Sequence, residues 1–239
     1  MLAIAILAAG KGTRMVSNLP KVLHRIAGET LLNRIINTSQ KLNPDKIFVV
    51  LGHKHDLVNK SLLNKKNVEI ILQEPQLGTG HAVQVLSKKF NNFKGNLLIL
   101  NGDVPLIRAE SLEELLKLHS SRDADVSLIT TEKENPYGYG RVFKKDNFIE
   151  KIIEEKDCSI NEKQNKLINA GIYCFNCESL IKVINNLESN NNQQEFYLTD
   201  TISLLEKAIS YKIIDEEEIQ GINNRVDLAK CEEIIQRKI

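Results

Sequence analysis

The residues nearest the start of the chain already have the makings of an anion site. Leu7-Ala8-Ala9-Gly10-Lys11-Gly12-Thr13-Arg14 follows directly on an apolar run. Glycines in such a place let backbone N–H groups close on a phosphate. The third glycine of a dinucleotide fingerprint is missing, and so is the Gly-Lys-Ser/Thr ending of a Walker loop. The segment therefore reads either as a different kind of phosphate cradle or as a tight strand-to-helix turn. Arg14 and Lys21 put cations close by. Each alone would be a solvated surface charge, but Pro20 fixes the approach to Lys21 and favours a defined position for it.

Two more clusters carry polar groups where a ligand could meet them. Gln73 opens the run to Ala82 with Gly78, Thr79 and Gly80, and an amide offers both donor and acceptor to a base edge. The bland alternative is a polar loop. Asn101-Gly102-Asp103 follows Leu97 to Leu100, and a carboxylate just beyond a buried strand suits magnesium held jointly with substrate phosphates. Asp123-Ala124-Asp125 is a rival metal pair. It precedes its strand, at the wrong end of a parallel sheet, and is expected to be a solvated loop. Cys174 and Cys177 form a lone CxxC with no second pair, so they are expected to be small apolar residues at a strand end and not a zinc site.

Positioning these groups requires alternating strands and helices. Leu2 to Ala8, Lys46 to Leu51, Val68 to Leu72, Leu97 to Leu100 and Val126 to Thr131 read as strands. The first, third and fourth are apolar on both faces and are expected mid-sheet. Leu31, Leu32, Ile35 and Ile36 recur at helical spacing. Ser111 with Glu114 reads as a capping box opening a helix through Leu118. Beyond Asn135, turn residues and the runs Phe148 to Ile153 and Ile168 to Phe175 suggest a smaller β-rich lobe. Ser189 to Gln194 reads as a loop, Asp215 to Glu218 as a solvated acidic run, and Val226 onward as a terminal helix. The expected class is α/β: a Rossmann-like three-layer α/β/α fold with a mostly parallel mixed sheet.

Composition narrows the partners. With 42% hydrophobic residues in 239, the chain can bury a substantial core. Its 32 Lys and Arg balance 31 Asp and Glu, so no broad positive field exists to hold nucleic acid or an anionic membrane. Leu2 to Ala9 lacks the basic leader of a signal peptide and runs into the glycine loop. A cytoplasmic protein is expected.

Taken in order, the glycine loop, Leu19 to His24, Gln73 to Ala82, Asn101 to Leu106, Tyr137-Gly138-Tyr139-Gly140-Arg141, Glu154 to Asp157, Ile168 to Gly171 and Gly221 to Arg225 resemble the sugar nucleotidyltransferases, or nucleotide-sugar pyrophosphorylases. The likeness is to the uridyltransferase domains that join UTP to N-acetylglucosamine 1-phosphate and release pyrophosphate, feeding peptidoglycan and lipopolysaccharide synthesis. It implies that Leu7, Ala8, Ala9 and Gly10 contact the nucleotide, that Lys21 holds phosphate and that Arg14 is the catalytic cation. Gln73, Gly78 and Thr79 would surround the uracil. Asn101 and Gly102 would line the site, with Asn101 standing where some members carry an aromatic residue. Asp103 and Asn223 would share Mg2+. Gly140, Glu154 and Asn169 would bind the sugar.

The same resemblance sets residues 1–225 as the uridyltransferase domain and 226–239 as a helix starting a linker. No hexapeptide β-helix is seen, so acetyltransfer is not expected, and neither is an oligomer beyond a monomer or weak association. The alternatives are a relative using another sugar 1-phosphate or base, and a non-catalytic nucleotide-sugar sensor.

Overall fold

The structure, a computed structural model, describes residues 1–52, 54–63, 65–90 and 93–238. Eleven strands and six α-helices alternate along it. β1 (Leu2–Leu7), β4 (Lys46–Leu51), β5 (Val68–Leu72), β6 (Asn96–Asn101), β7 (Val126–Glu132), β10 (Leu167–Asn176) and β11 (Ala208–Lys212) lie in the order β11-β7-β10-β6-β1-β4-β5. All run parallel except β10, which is antiparallel to both β6 and β7. β8 (Arg141–Lys145) joins β10 and pairs with β9 (Phe148–Ile153). Short β2 (Arg25–Ile26) and β3 (Glu29–Thr30) form a separate hairpin.

Side-chain alternation sets the three layers. In β1, Ala3 and Ala5 face one way and Ile4 and Ile6 the other. The alanine face receives α3 (Thr79–Ser87) and α5 (Cys177–Ile184) through Val83, Leu86, Leu180 and Ile184. The isoleucine face receives α1 (Leu31–Lys41), α2 (His55–Ser61) and α4 (Ala109–Arg122) through Ile35, Ile36, Val58, Leu112 and Leu115. The last helix, α6 (Arg225–Lys238), seats Cys231 and Ile235 against Met15, Ile26 and Leu31. Among the described residues no helix is long and apolar enough to cross a membrane.

Several sequence expectations need correction. β1 and β6 are central, but β5 is an edge strand. Its Glu69 faces Lys46 at 3.1 Å and Lys89 at 3.0 Å, and Leu72 is 43% exposed. That one carboxylate marks the solvent side of an otherwise apolar run. The expected smaller β-rich lobe is the β8–β9 hairpin, which projects from the main strand path, while β10 inserts into the main sheet itself.

Ser111 caps nothing. It lies inside α4, whose N-cap residue Arg108 makes no side-chain cap. The supposedly solvated Glu218 does that work from a distance: it is 1% exposed and accepts from Arg108 N at 3.0 Å, Arg108 Nε at 2.7 Å and Ser111 Oγ at 3.0 Å. A negative charge at a helix N-terminus is favourable there. The rest of the acidic run is paired too, Asp215 with Lys238 at 2.8 Å and Glu216 with Lys133 at 3.3 Å. Asp125 is likewise no free loop acid, since it accepts from Ser179 Oγ and from Lys207 N at 2.9 Å.

Removing Glu218 would leave the α4 N-terminus and Arg108 without their acceptor. Because Arg108 remains half exposed, the full cost of breaking a buried pair is discounted, and Glu218→Ala should lose about 2–3 kcal/mol in urea unfolding. A loss well under about 1 kcal/mol would show that Glu218 does not anchor this helix.

Candidate active site

Parallel strands deliver their following loops to one edge of a sheet. Leu7 is in register with Asn101, and Gly102 N donates to Leu7 O at 2.8 Å, so the loops after β1 and β6 lie side by side. Gln73 N reaches Leu51 O at 2.8 Å, bringing the loop after β5 to the same edge. β10 runs the other way and presents its first residues there, with Asn101 Nδ2 donating to Gly171 O at 3.1 Å. Asp125 precedes β7 at the opposite edge, where Val126 pairs with Phe175 and Phe175 with Leu97. The rival metal pair is therefore far from this crevice.

A cleft of about 580 Å³ opens at this edge. Leu7, Arg14, Thr79, Asn101, Asp103, Gly140, Glu154, Asn169 and Asn223 all line it. Lys21 stands directly behind: its Nζ is 2.5 Å from Asp103 Oδ2, with the two side chains 14% and 23% exposed. Gly12 makes that approach possible, since it sits at φ +62° and a Cβ on it would come within 2.7 Å of Lys21 Cβ. Arg14 Nη2 donates to Asn223 Oδ1 at 2.8 Å. Asn223 reaches the site because Ile222 N donates to Asp103 O at 2.8 Å, and because Asp227 Oδ2 accepts from Asn223 N at 2.9 Å. Each proposed metal ligand is thus engaged by one of the two predicted cations, Asp103 in an ion pair and the neutral Asn223 by a hydrogen bond.

Ala8, Ala9 and Gly10 flank the cleft without lining it. Gly10 is exposed, and space beside its Cα is open for 4 Å. Gln73 is 3% exposed, and its Nε2 donates to Gly78 O at 2.8 Å and faces His81 Nδ1 at 3.2 Å. Burial pushes the His81 pKa down, with Lys88 adding to it, so its ring is neutral and Nδ1 can accept. Gly78 at φ +105° lies against Phe196 O, 2.5 Å from where a Cβ would be. Thr79 Oγ1 accepts from Leu198 N at 3.1 Å.

At the other end of the cleft Asn169 is oriented by two side-chain hydrogen bonds, which leave one amide hydrogen and one lone pair free for a ligand. Its Nδ2 donates to Tyr173 Oη at 2.6 Å, and its Oδ1 accepts from Gly171 N at 2.9 Å. Asn169 N donates to Gly140 O at 2.9 Å, fixing the glycine beside Glu154. Glu154 accepts from Thr199 Oγ1 at 2.9 Å. The Tyr137 to Gly140 turn is held by Arg141, 2% exposed and 2.6 Å from Glu155, which also accepts from Gly138 N at 3.2 Å. Tyr139, Thr199, Gly171 and Asp227 were missed as site residues. Tyr139 and Gly171 stand within the motifs that carry the resemblance without having been given a role, and Asp227 left a trace of its own: Asn224 and Asp227 cap each other reciprocally, at 2.9 and 3.3 Å, a spacing readable as a helix start.

Residues 4–197 match the MobA-like NTP transferase domain. Over its whole length the chain is 50% identical to bifunctional protein GlmU of Prochlorococcus marinus (strain NATL2A), covering 54% of that protein. It is 45% identical to that of Nostoc sp. (strain PCC 7120 / SAG 25.82 / UTEX 2576), covering 53%. The chain therefore spans about half the length of the curated relatives it matches. Among solved structures, a UDP-glucose pyrophosphorylase complexed with UDP-glucose superposes with TM-score 0.76 at 14% identity, covering 99% of both chains. A glucose-1-phosphate thymidylyltransferase from Bacillus anthracis superposes with TM-score 0.74 at 14% identity, covering 98% of this chain and 95% of that one. These two show the shared fold.

Burial raises the Glu154 carboxyl above its ordinary 4.5, helped by Asp200, Asp157 and Glu195 and opposed by the Thr199 hydrogen bond. Between the ordinary and the raised value the folded protein holds a proton that the unfolded chain has released, so stability falls as pH rises through that window. Glu154→Gln is always neutral and escapes this loss. Its stability advantage over the parent should grow with pH above 4.5 and then level off in unfolding titrations. A difference that stays flat from about pH 4 to about pH 8 would show that Glu154 is not desolvated.

Proposed function

The chain belongs to the MobA-like NTP transferase domain family, and from that premise we propose that it transfers a uridylyl group from UTP to N-acetyl-α-D-glucosamine 1-phosphate. The carrying observation is the pairing of Lys21 with Asp103 and of Arg14 with Asn223 at the mouth of the sheet. The likeness to bifunctional protein GlmU across the whole chain supports the choice of reaction. The products are UDP-N-acetylglucosamine and pyrophosphate, and cytoplasmic cell-envelope precursor synthesis is the proposed setting.

The sugar phosphate is already anionic near neutral pH and needs no general base. One of its oxygens attacks the α-phosphorus of UTP in line. The bond from that phosphorus to the oxygen bridging the β-phosphate breaks, and pyrophosphate leaves with the electron pair. Arg14 and Lys21 stabilise the negative charge on the reacting and departing phosphates. Both have partners that anionic phosphates can replace. Enzymes of this type use a divalent cation, and one carboxylate with one amide oxygen fits magnesium that keeps substrate phosphates and water as its other ligands. When bound through Asp103 and Asn223, the ion would neutralise phosphate charge.

Base choice follows from Gln73. Gly78 O takes Nε2, which leaves Oε1 to accept, and uracil offers an N–H donor where cytosine offers an acceptor. The sugar is assigned to Gly140, Glu154 and Asn169 at the far end of the cleft. Glu154→Ala should therefore raise the KM for the sugar phosphate far more than that for UTP. The reverse ranking would reassign that end.

The direct test is pyrophosphate release on mixing UTP, N-acetylglucosamine 1-phosphate and Mg2+ with the chain, which a nucleotide-sugar sensor would not give. Asp103→Asn removes one charge at nearly constant shape and should cost on the order of a hundredfold or more in turnover, as loss of a preorganised electrostatic group does. Asp125→Asn, at the opposite edge, should leave turnover near normal. Near-normal turnover in Asp103→Asn with a large loss in Asp125→Asn would move the active site.

A further inference from the structure

Arg14 rides on one turn of 3-10 helix, Thr13–Met15, whose two flanks are both left-handed, Gly12 at φ 62° and Val16 at φ 47°. Positive φ is unstrained for glycine and costly for a β-branched residue. Val16 is also 82% exposed, so the packing of its own side chain does not hold it there. Within the turn Val16 N donates to Thr13 O at 3.2 Å, and from outside it Arg225 fixes both carbonyls, its Nε donating to Met15 O at 3.3 Å and its Nη2 to Val16 O at 3.2 Å. Beneath them Met15 is fully buried against Leu31, Ile222 and Cys231.

Arg225 is itself well placed. It opens α6 two residues after Asn223, the acceptor of the Arg14 guanidinium. Asp227 ties the backbone of Asn223 and Asn224, so the start of α6 is fixed against the cleft. One short segment therefore holds the guanidinium of Arg14 through Asn223 and the backbone of the two residues that follow it, Met15 and Val16, through Arg225. When phosphates replace Asn223 as the partner of Arg14, the hold on Met15 and Val16 still helps determine where that side chain emerges.

We propose that Arg225 is a positioning residue for Arg14, holding the strained Val16 turn so that the Arg14 guanidinium meets the reacting phosphates in a fixed direction. This rests on the role given to Arg14 under the proposed function. Without the two hydrogen bonds, Val16 relaxes toward negative φ and Arg14 must find its orientation anew in each turnover. Orientation of that kind is worth rate, not ground-state affinity. The guanidinium acts here as a fork between two carbonyls, which a lysine ammonium does not reproduce.

The test is a double-mutant cycle of Arg14→Ala and Arg225→Ala, with Arg225→Lys as the variant that keeps the charge and a soluble surface. Arg225→Ala should lower kcat about tenfold to a hundredfold with a smaller change in either KM. In the Arg14→Ala background the same substitution should cost less than about twofold, because residues acting through one another are not additive. Arg225→Lys should lose most of what Arg225→Ala loses. If Arg14→Ala leaves kcat intact, the role of Arg14 itself is wrong and the proposal falls with it. If Arg14→Ala slows turnover but the Arg225→Ala loss multiplies onto it undiminished, or if Arg225→Lys is fully active, Arg225 acts elsewhere or by charge alone and the proposal is overturned.

Discussion

A carboxylate at the end of a buried strand must find a cation, and the ion pair of Asp103 with Lys21 is the contact around which this cleft is arranged. β6 carries Asp103 to the edge of the sheet, and Gly102 lets the chain turn against Leu7. Lys21 reaches it only because Gly12 leaves room where a side chain would collide. A pair this little exposed is costly to desolvate, and its merit lies less in stability than in readiness. Both charges are held in place for ligands that can bring partners of the opposite sign.

The second cation is arranged by a different part of the chain. Arg14 lies in the glycine loop and its acceptor Asn223 more than two hundred residues on. What joins them is the packing of α6 on Met15, together with the hydrogen bond from Ile222 to Asp103. The terminal helix is thus a structural neighbour of the Arg14 and Asp103 end of the cleft, and its dislocation would be felt there before it was felt in the core.

Much of this was legible because local rules governed it. β1 and β6 announce themselves as runs apolar on both faces, and the polar groups that follow them fall where parallel strands must deliver them. The cleft contains Arg14, Thr79, Asn101 and Asp103 from the segments those rules singled out, and Gly140, Glu154, Asn169 and Asn223, which only the resemblance to the sugar nucleotidyltransferases implied. What failed depended on distant contacts. Val68 to Leu72 read as apolar on both faces, yet its Glu69 marks an edge strand. Ser111 matched a cap by spacing, yet Glu218, from a segment more than a hundred residues away, supplies the negative charge to α4. The insertion of β10 antiparallel between β6 and β7 has no signature in its own residues, because its pattern alone does not reveal which strands flank it. Thr199 and Tyr173 touch Glu154 and Asn169 only through that insertion and the 3-10 segment Leu198–Leu204.

The role of Asp103 is most directly measured by the binding of Mn2+, followed by electron paramagnetic resonance, to the parent chain and to Asp103→Asn with and without UTP. With Lys21 occupying the carboxylate, Mn2+ alone should bind the parent weakly, and UTP should bring it on tightly by supplying phosphates for both cations and the metal. Asp103→Asn should lose that tight binding while keeping its fold. Equal Mn2+ binding by Asp103→Asn and the parent in the presence of UTP would contradict the placement of the metal, and with it the arrangement of charges on which the proposed transfer depends.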